Sequence, residues 1–416
     1  MTLLLLLASL AAIAAPPVGP DVLVVCPREF RPAIAEWKEF RRAQGHHLVV
    51  ADVPANAEQL KGTIHQANRS GTLKYIVLIG DEPSSFDSTS QTARFLIPTN
   101  YVRATVNIRW GSTAAIASDI PYADLDGDGL PDVAIGRIPA HSPQELSGVM
   151  RKIIRYESSS DHGPWEKCLD IISGAGGFGA LTDAMVESAG RQVVQETVPT
   201  GYDVRHTVAT VNTESESPVD CCALARRQLN EGDLAWVYVG HGLPTQLDRV
   251  PTLEGMRPLL STRDVPQLHC GPHNPLAVLI ACYTGAMDAP QDCLAEDLLL
   301  AGEGPIAVVA ATRVTMPYGN SVMGYELLRA CFDDRPLALG DIMLIAEKRV
   351  LGSGVNNHMR ATLDNLAQLF SPGPVDLSNE RREHVLMYHL IGDPLLRLHR
   401  RADEVAQNQK KTVREK

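Results

Sequence analysis

The chain has 416 residues, 44% of them hydrophobic and 21% charged, with a formal net charge of −11. That length and apolar content provide for a substantial core, larger than one small domain, and exclude a disordered chain. The acidic balance, with no basic stripe interleaved with aromatics, excludes a nucleic-acid binder.

Leu3 to Leu7 open an apolar stretch that reaches Ala15, and Ala12-Ile13-Ala14 offers a small-residue cleavage site, so residues 1–14 read as an export signal. The stretch is too short to span a bilayer, and no membrane span is expected. The expected location is secreted or periplasmic. Next, Asp21 to Cys26 predicts a strand, Phe30 to Gln44 a helix, His47 to Val53 a strand and Ala55 to Ala67 a helix. Tyr75 to Gly80 is a buried strand ending at Asp81. Phe86 to Ser118 reads as loops with edge strands, Asp132 to Gly136 as a strand and Ser142 to Glu157 as a helix. A polar break, Ser158 to Pro164, marks a boundary.

The alternation then restarts. Leu169 to Ser173 predicts a strand, Thr182 to Thr197 a helix, Val204 to Val211 a strand and Pro218 to Asn230 a helix. Three apolar runs follow, Leu234–Gly240, Pro275–Ala281 and Pro305–Ala311, before a largely helical remainder that closes with Tyr388 to Leu398. Strands alternating with helices predict an α/β protein with mostly parallel sheets. Two halves are expected, residues 20–157 and 158–400, followed by a polar tail over 401–416 in which the basic residues are solvated.

Two strand ends carry chemistry. Leu234–Gly240 runs into His241-Gly242, and Pro275–Ala281 runs into Cys282-Tyr283. Ligands of open α/β sheets bind beyond the carboxyl ends of such strands. A thiol there needs a base to become a good nucleophile, and a small Gly242 leaves amides open to a substrate oxyanion. By pattern alone, a strand-end cysteine is also a common core residue.

Asp124, Asp126, Asp128 and Asp132 stand at positions 1, 3, 5 and 9 of a calcium-type loop with Gly129 at position 6. Ile135 replaces the bidentate Glu at position 12. Four close carboxylates repel without a cation, which favours structural Ca2+; a solvated acidic turn is the other reading. Gly174-x-Gly176-x-x-Gly179 matches a dinucleotide fingerprint, but no acidic residue follows at a strand end, since Glu196 falls at a helix end. Glycines that bring backbone close to a peptide fit better. His269, Cys270 and His273 offer three donors in one loop with no fourth, too few for zinc. The eight cysteines form no disulfide framework, and a bridge between adjacent Cys221 and Cys222 would be strained.

Several blocks taken together resemble the gingipain-type cysteine peptidases of the caspase-like clan, from Val22 to Leu398. They are Glu36-Trp-Lys38, Tyr75–Asp81, Asp132–Ile138, Tyr156-Glu157, Val239-Gly-His-Gly242, Ala281-Cys-Tyr283, Cys293-Leu-Ala-Glu296 and Ile391-Gly-Asp-Pro394. The resemblance implies two caspase-like α/β/α subdomains and an endopeptidase acting on protein or peptide substrates. His241 would be the base, Cys282 the nucleophile, and amides around Gly242 and Cys282 the oxyanion hole. Where that family carries a Glu near the catalytic His, this chain has Ala175 within Ser173–Gly177. Neither a propeptide after the signal nor a domain beyond Leu398 is expected, and with them zymogen control and anchoring of the family kind. Asp183 aligns with the family Asp in the primary pocket of arginine-cleaving members, where a carboxylate pairs with a basic side chain; as a helix cap it has an ordinary explanation too. The competing reading is a catalytically silent peptidase homologue acting as a binding or scaffold protein.

Overall fold

The protein's structure, a computed structural model, describes residues 19–82, 95–174, 180–209, 220–252, 255–332, 337–354, 356–370 and 376–399. β1 (Val22–Val25), apolar and buried throughout, pairs in parallel with β2 (Leu48–Ala51) and with β3 (Tyr75–Ile79). The helix expected over 30–44 is split. Pro32 lies in a 3-10 turn over Arg28–Ile34, and the α-helix α1 is confined to Ala35–Ala43. α2 (Ala57–Ala67) begins where the Asn56 side chain accepts the Gln59 N–H.

The less regular stretch contains a hairpin of β4 (Asn100–Arg103) and β5 (Ala115–Ser118), then the short α3 (Ile120–Ala123). β6 (Ala134–Ile138) pairs with β3, and α4 (Pro143–Glu157) follows, capped by Ser142.

The second half comprises β7 (Cys168–Ser173), α5 (Ala180–Thr197), β8 (Asp203–Val208), α6 (Cys221–Glu231) and β9 (Ala235–Val239). Between β9 and β14 (Leu276–Ile280) lie two hairpins that the sequence pattern hides, because Pro and Gly interrupt every alternation there. They are β10 (Gly242–Leu243) with β11 (Gln246–Leu247), and β12 (Arg249–Thr252) with β13 (Gly255–Pro258). α7 (Leu294–Leu300), β15 (Ala307–Ala311), four helices and β16 complete the order. The helices are α8 (Pro317–Cys331), α9 (Leu339–Leu351), α10 (His358–Phe370) and α11 (Leu377–Met387).

Ten strands form one sheet in the order β2-β1-β3-β6-β16-β15-β14-β9-β7-β8. The architecture is the expected α/β with a mostly parallel sheet, and the two runs of alternation are joined edge to edge within it. β16 (Tyr388–Ile391) makes the joint, antiparallel to β15 and meeting β6 at Ile391 and Arg137. Residues from both halves converge at one rim: Asp81 after β3, His141 after β6 and Glu296 in the first turn of α7 bring their donor atoms within 4.8 Å of one another. No helix among the described residues is long and apolar enough to cross a membrane.

Candidate active site

β9 and β14 are parallel neighbours whose last paired residues are Val239 and Ile280, and Gly240 N–H then donates to the Ile280 carbonyl at 3.2 Å. His241 and Cys282 each lie two residues past that pair, so register alone puts them at matching positions on adjacent strand ends. His241 is exposed and Cys282 half-buried.

The loop bearing His241 lies directly on Cys282. A Cβ on Gly242 would sit 2.7 Å from the Cys282 carbonyl oxygen and 3.0 Å from the Ala281 methyl, closer than real contacts allow. Gly240 is equally confined: its Cβ would fall 2.4 Å from the Tyr238 hydroxyl. That hydroxyl donates to the His241 carbonyl at 2.9 Å and accepts the Asp248 N–H at 3.3 Å, fixing the turn from both sides.

The other wall of the thiol is the segment after β15. Thr315 N–H points at the Cys282 sulfur from 3.3 Å, and the Thr315 hydroxyl lies 3.6 Å from it. The hydroxyl accepts from Asn320 Nδ2 at 2.9 Å, and Asn320 Oδ1 accepts the buried Tyr388 hydroxyl at 2.7 Å. One residue on, Met316 N–H donates to His384 Nε2 at 2.9 Å while His384 Nδ1 donates to the Glu380 carbonyl at 2.7 Å. Those two bonds require the neutral ring, and burial pushes His384 down to about 4.

Tyr283, next to the thiol, has φ +59, a left-handed conformation that costs a non-glycine residue on the order of 1 kcal/mol or more. Bonds from Tyr283 N–H to Arg313 O (3.1 Å) and from Gly285 N–H to Ala311 O (2.9 Å) hold it there. Arg313 is clamped in turn by Asp288, with two bonds of 2.8 and 2.6 Å. Tyr101 of the β4–β5 hairpin reaches the same carboxylate at 3.3 Å, so the first half of the chain buttresses the loop of the second.

Among the cysteines, only Cys282 and Cys331 are not buried, and no disulfide is formed. Burial pushes the Cys26 and Cys270 thiols up to about 12. Such thiols are inert.

Asp183 lies on α5, but its side chain, like Ala175 and Gly176–Gly179, is outside the described residues. Gly174 is described: its Cβ would fall 2.9 Å from the Tyr238 hydroxyl, so close packing beneath the His241 loop accounts for this glycine. Of the four aspartates in the acidic loop, Asp124, Asp126 and Asp132 bring ligand oxygens within 4.8 Å of one another, and Asp128 stands outside that group, accepting the Leu130 N–H at 2.8 Å. Gly127 and Gly129 take φ of +82 and +86 and donate their N–H groups to Asp124, which curls the loop around the carboxylates. Oxygen donors in a tight loop fit calcium.

The Asp81–His141–Glu296 group was not foreseen as a cluster, although Asp81 and Glu296 each fall within a distinctive sequence block. His141 Nε2 also meets Asp292 at 3.1 Å, and burial, then the Asp81 charge, push Glu296 up. Thr315, Asn320, His384 and Tyr388 also went unforeseen, since they come from separate elements with no shared spacing. His269 and His273 turn to different partners, Glu303 at 3.0 Å and Asp161 at 2.9 Å, so that loop gathers no metal set.

The sequence pattern of peptidase family C25 matches residues 15–399. Lys-gingipain of Porphyromonas gingivalis (strain ATCC 33277) is 24% identical over 287 residues, covering 66% of this chain and 14% of the relative. Lys-gingipain W83 of Porphyromonas gingivalis is 25% identical over 291 residues, with the same coverage. The chain thus spans about a seventh of the length of these curated relatives. The crystal structure of the Arg specific cysteine proteinase gingipain R shares the fold, with a TM-score of 0.66 at 18% identity, over 91% of this chain and 78% of that one.

Proposed function

The chain belongs to peptidase family C25, a family of cysteine peptidases, and from that premise we propose that it is an exported endopeptidase with His241 and Cys282 as its catalytic dyad. The observation that carries the proposal is the register of β9 and β14, which sets the two side chains at matching strand ends with Gly242 packed on Cys282. His241 takes the Cys282 proton, the thiolate attacks the scissile carbonyl carbon, and amides near Gly242 and Cys282 hold the resulting oxyanion. His241 then gives its proton to the leaving amine nitrogen as the C–N bond breaks, leaving a thioester. Water, deprotonated by His241, attacks the thioester, releasing the carboxylate product and the thiol. Thr315 N–H favours the negative sulfur at the start and end of each cycle.

Asp183 is the proposed floor of a pocket for a basic side chain, a reading supported by the Lys- and Arg-directed names of the relatives. The apolar segment over residues 3–15 supports export. Structural Ca2+ is proposed at Asp124, Asp126 and Asp132, with Asp128 at the loop's edge. Chelation with EGTA is expected to lower the unfolding temperature by several degrees and Ca2+ to restore it; Asp124→Ala protein, unable to respond, is the control.

The central test is cleavage of a mixed peptide library by wild-type and Cys282→Ala protein in Ca2+ and mild reductant. Cleavage after Lys or Arg that vanishes in the variant is the expected result. Cleavage that survives Cys282→Ala sinks the dyad, and folded protein that cleaves nothing leaves the silent homologue. Cleavage after another residue type removes the role of Asp183 only.

A further inference from the structure

We propose that His162, Glu166 and His399 form a zinc site off the strand ends opposite those that carry the dyad, independent of the peptidase reading. Glu166 lies in a 3-10 turn over Pro164–Lys167 just before β7, His162 precedes it, and His399 follows β16. Their donor atoms all lie within 4.8 Å of one another.

The hydrogen bonding of His399 identifies which of its nitrogens faces the cluster as an acceptor. His399 Nε2 is 2.6 Å from the Tyr156 carbonyl oxygen, which can only accept, so Nε2 carries the hydrogen. In the neutral ring Nδ1 is then a lone pair, and it faces Glu166 Oε1 at 3.6 Å. Two acceptors so placed need a cation between them or a proton on the nitrogen. The separation is long for a hydrogen bond and close to the ~3.4 Å expected across a tetrahedral zinc with bonds of about 2.0–2.1 Å. A ligating His whose other N–H is held by a carbonyl is the usual outer-shell arrangement at zinc.

His162 supplies the third donor, its Nδ1 2.6 Å from the same carboxylate oxygen. Its side chain is 53% exposed, which leaves a route for the ion and lets the ring swing outward by the fraction of an ångström that coordination requires, whereas Glu166 is 1% exposed. Tyr156 and Trp165 lie edge-on to His399, at ring-centroid distances of 4.6 and 5.4 Å, and fix its plane. Two imidazoles and a carboxylate, with a fourth position open to water, suit zinc; calcium prefers oxygen alone. The ion would tie the polar connection between the two halves to the segment leaving β16.

The test uses Cys282→Ala protein, which removes the reactive thiol as a competing ligand, titrated with Co2+ and then Zn2+. One Co2+ per chain is expected, with visible d–d absorption, no thiolate charge-transfer band, and displacement by Zn2+. Zinc should also raise the unfolding temperature by several degrees. Both effects should disappear on adding His162→Ala, a half-exposed position, or Glu166→Gln, with circular dichroism checking that each variant keeps its fold. The absence of stoichiometric binding overturns the proposal. So does binding that survives His162→Ala, or a thiolate band.

Discussion

Gly242 is the residue on which the proposed chemistry turns most sharply. A methyl group there meets the Cys282 carbonyl at 2.7 Å and the Thr284 side chain at 2.8 Å, and neither can yield without moving the strand ends. Gly242→Ala is therefore expected to displace His241 from Cys282 and to lower kcat/KM about 100-fold, the scale of a misplacement near 1 Å. The Thr315 N–H contact to the sulfur comes from a different segment and should be kept in that variant. His241, Cys282 and Gly242 stand out in the sequence as candidates because each closes or follows an apolar run. Thr315 was not: its partners Cys282, Asn320 and, through Asn320, Tyr388 come from separate elements, and only the folded chain assembles them.

α11 acts on the site through one imidazole. His384 receives the Met316 N–H and lies against α8, where a Cβ on Gly319 would fall 2.2 Å from its ring. Its folded value, about 4, is below the unfolded value of 6.5, so the unfolded chain binds the extra proton first. The neutral ring's contribution is complete above pH 6.5 and is lost as pH falls toward 4, by about 3 kcal/mol in all. Urea unfolding at pH 7 and pH 4.5 checks this: wild-type protein should lose more stability than His384→Gln protein, in which no ring titrates. The same element shows where sequence reading stops. α11 runs into β16 without a break, since Tyr388 directly follows Met387, and four residues, Tyr388-His-Leu-Ile391, carry too little periodicity to announce a central strand. The longer apolar runs that became β3, β9, β14 and β15 had no such ambiguity.

Across the whole molecule, α1 is bolted to the turn after β16. Asp393 accepts Trp37 Nε1 at 2.6 Å and Arg41 at 2.7 Å, and Glu157 at the end of α4 takes Arg41 from the other side at 2.7 Å. Arg41 and Asp393 are both fully buried, so the opposite charges that desolvation would otherwise penalise sustain each other. Asp393→Ala leaves a buried guanidinium with one of its two carboxylates and an indole N–H without a partner. A loss of about 3–5 kcal/mol is expected, read from the denaturant midpoint. The α/β alternation was legible in the sequence; this bolt was not, since it joins residues 352 positions apart.

The position of β16 also governs when the candidate site can form. The strand that joins β6 to β15 is the last of the described strands to be synthesised. Until residues 388–399 have emerged, the two blocks of strands lack the segment between them, Asn320 lacks Tyr388, and α1 lacks Asp393. A nascent chain therefore carries Cys282 long before the sheet closes around it. Late closure of the sheet would hold the proposed peptidase chemistry in abeyance until that strand has emerged.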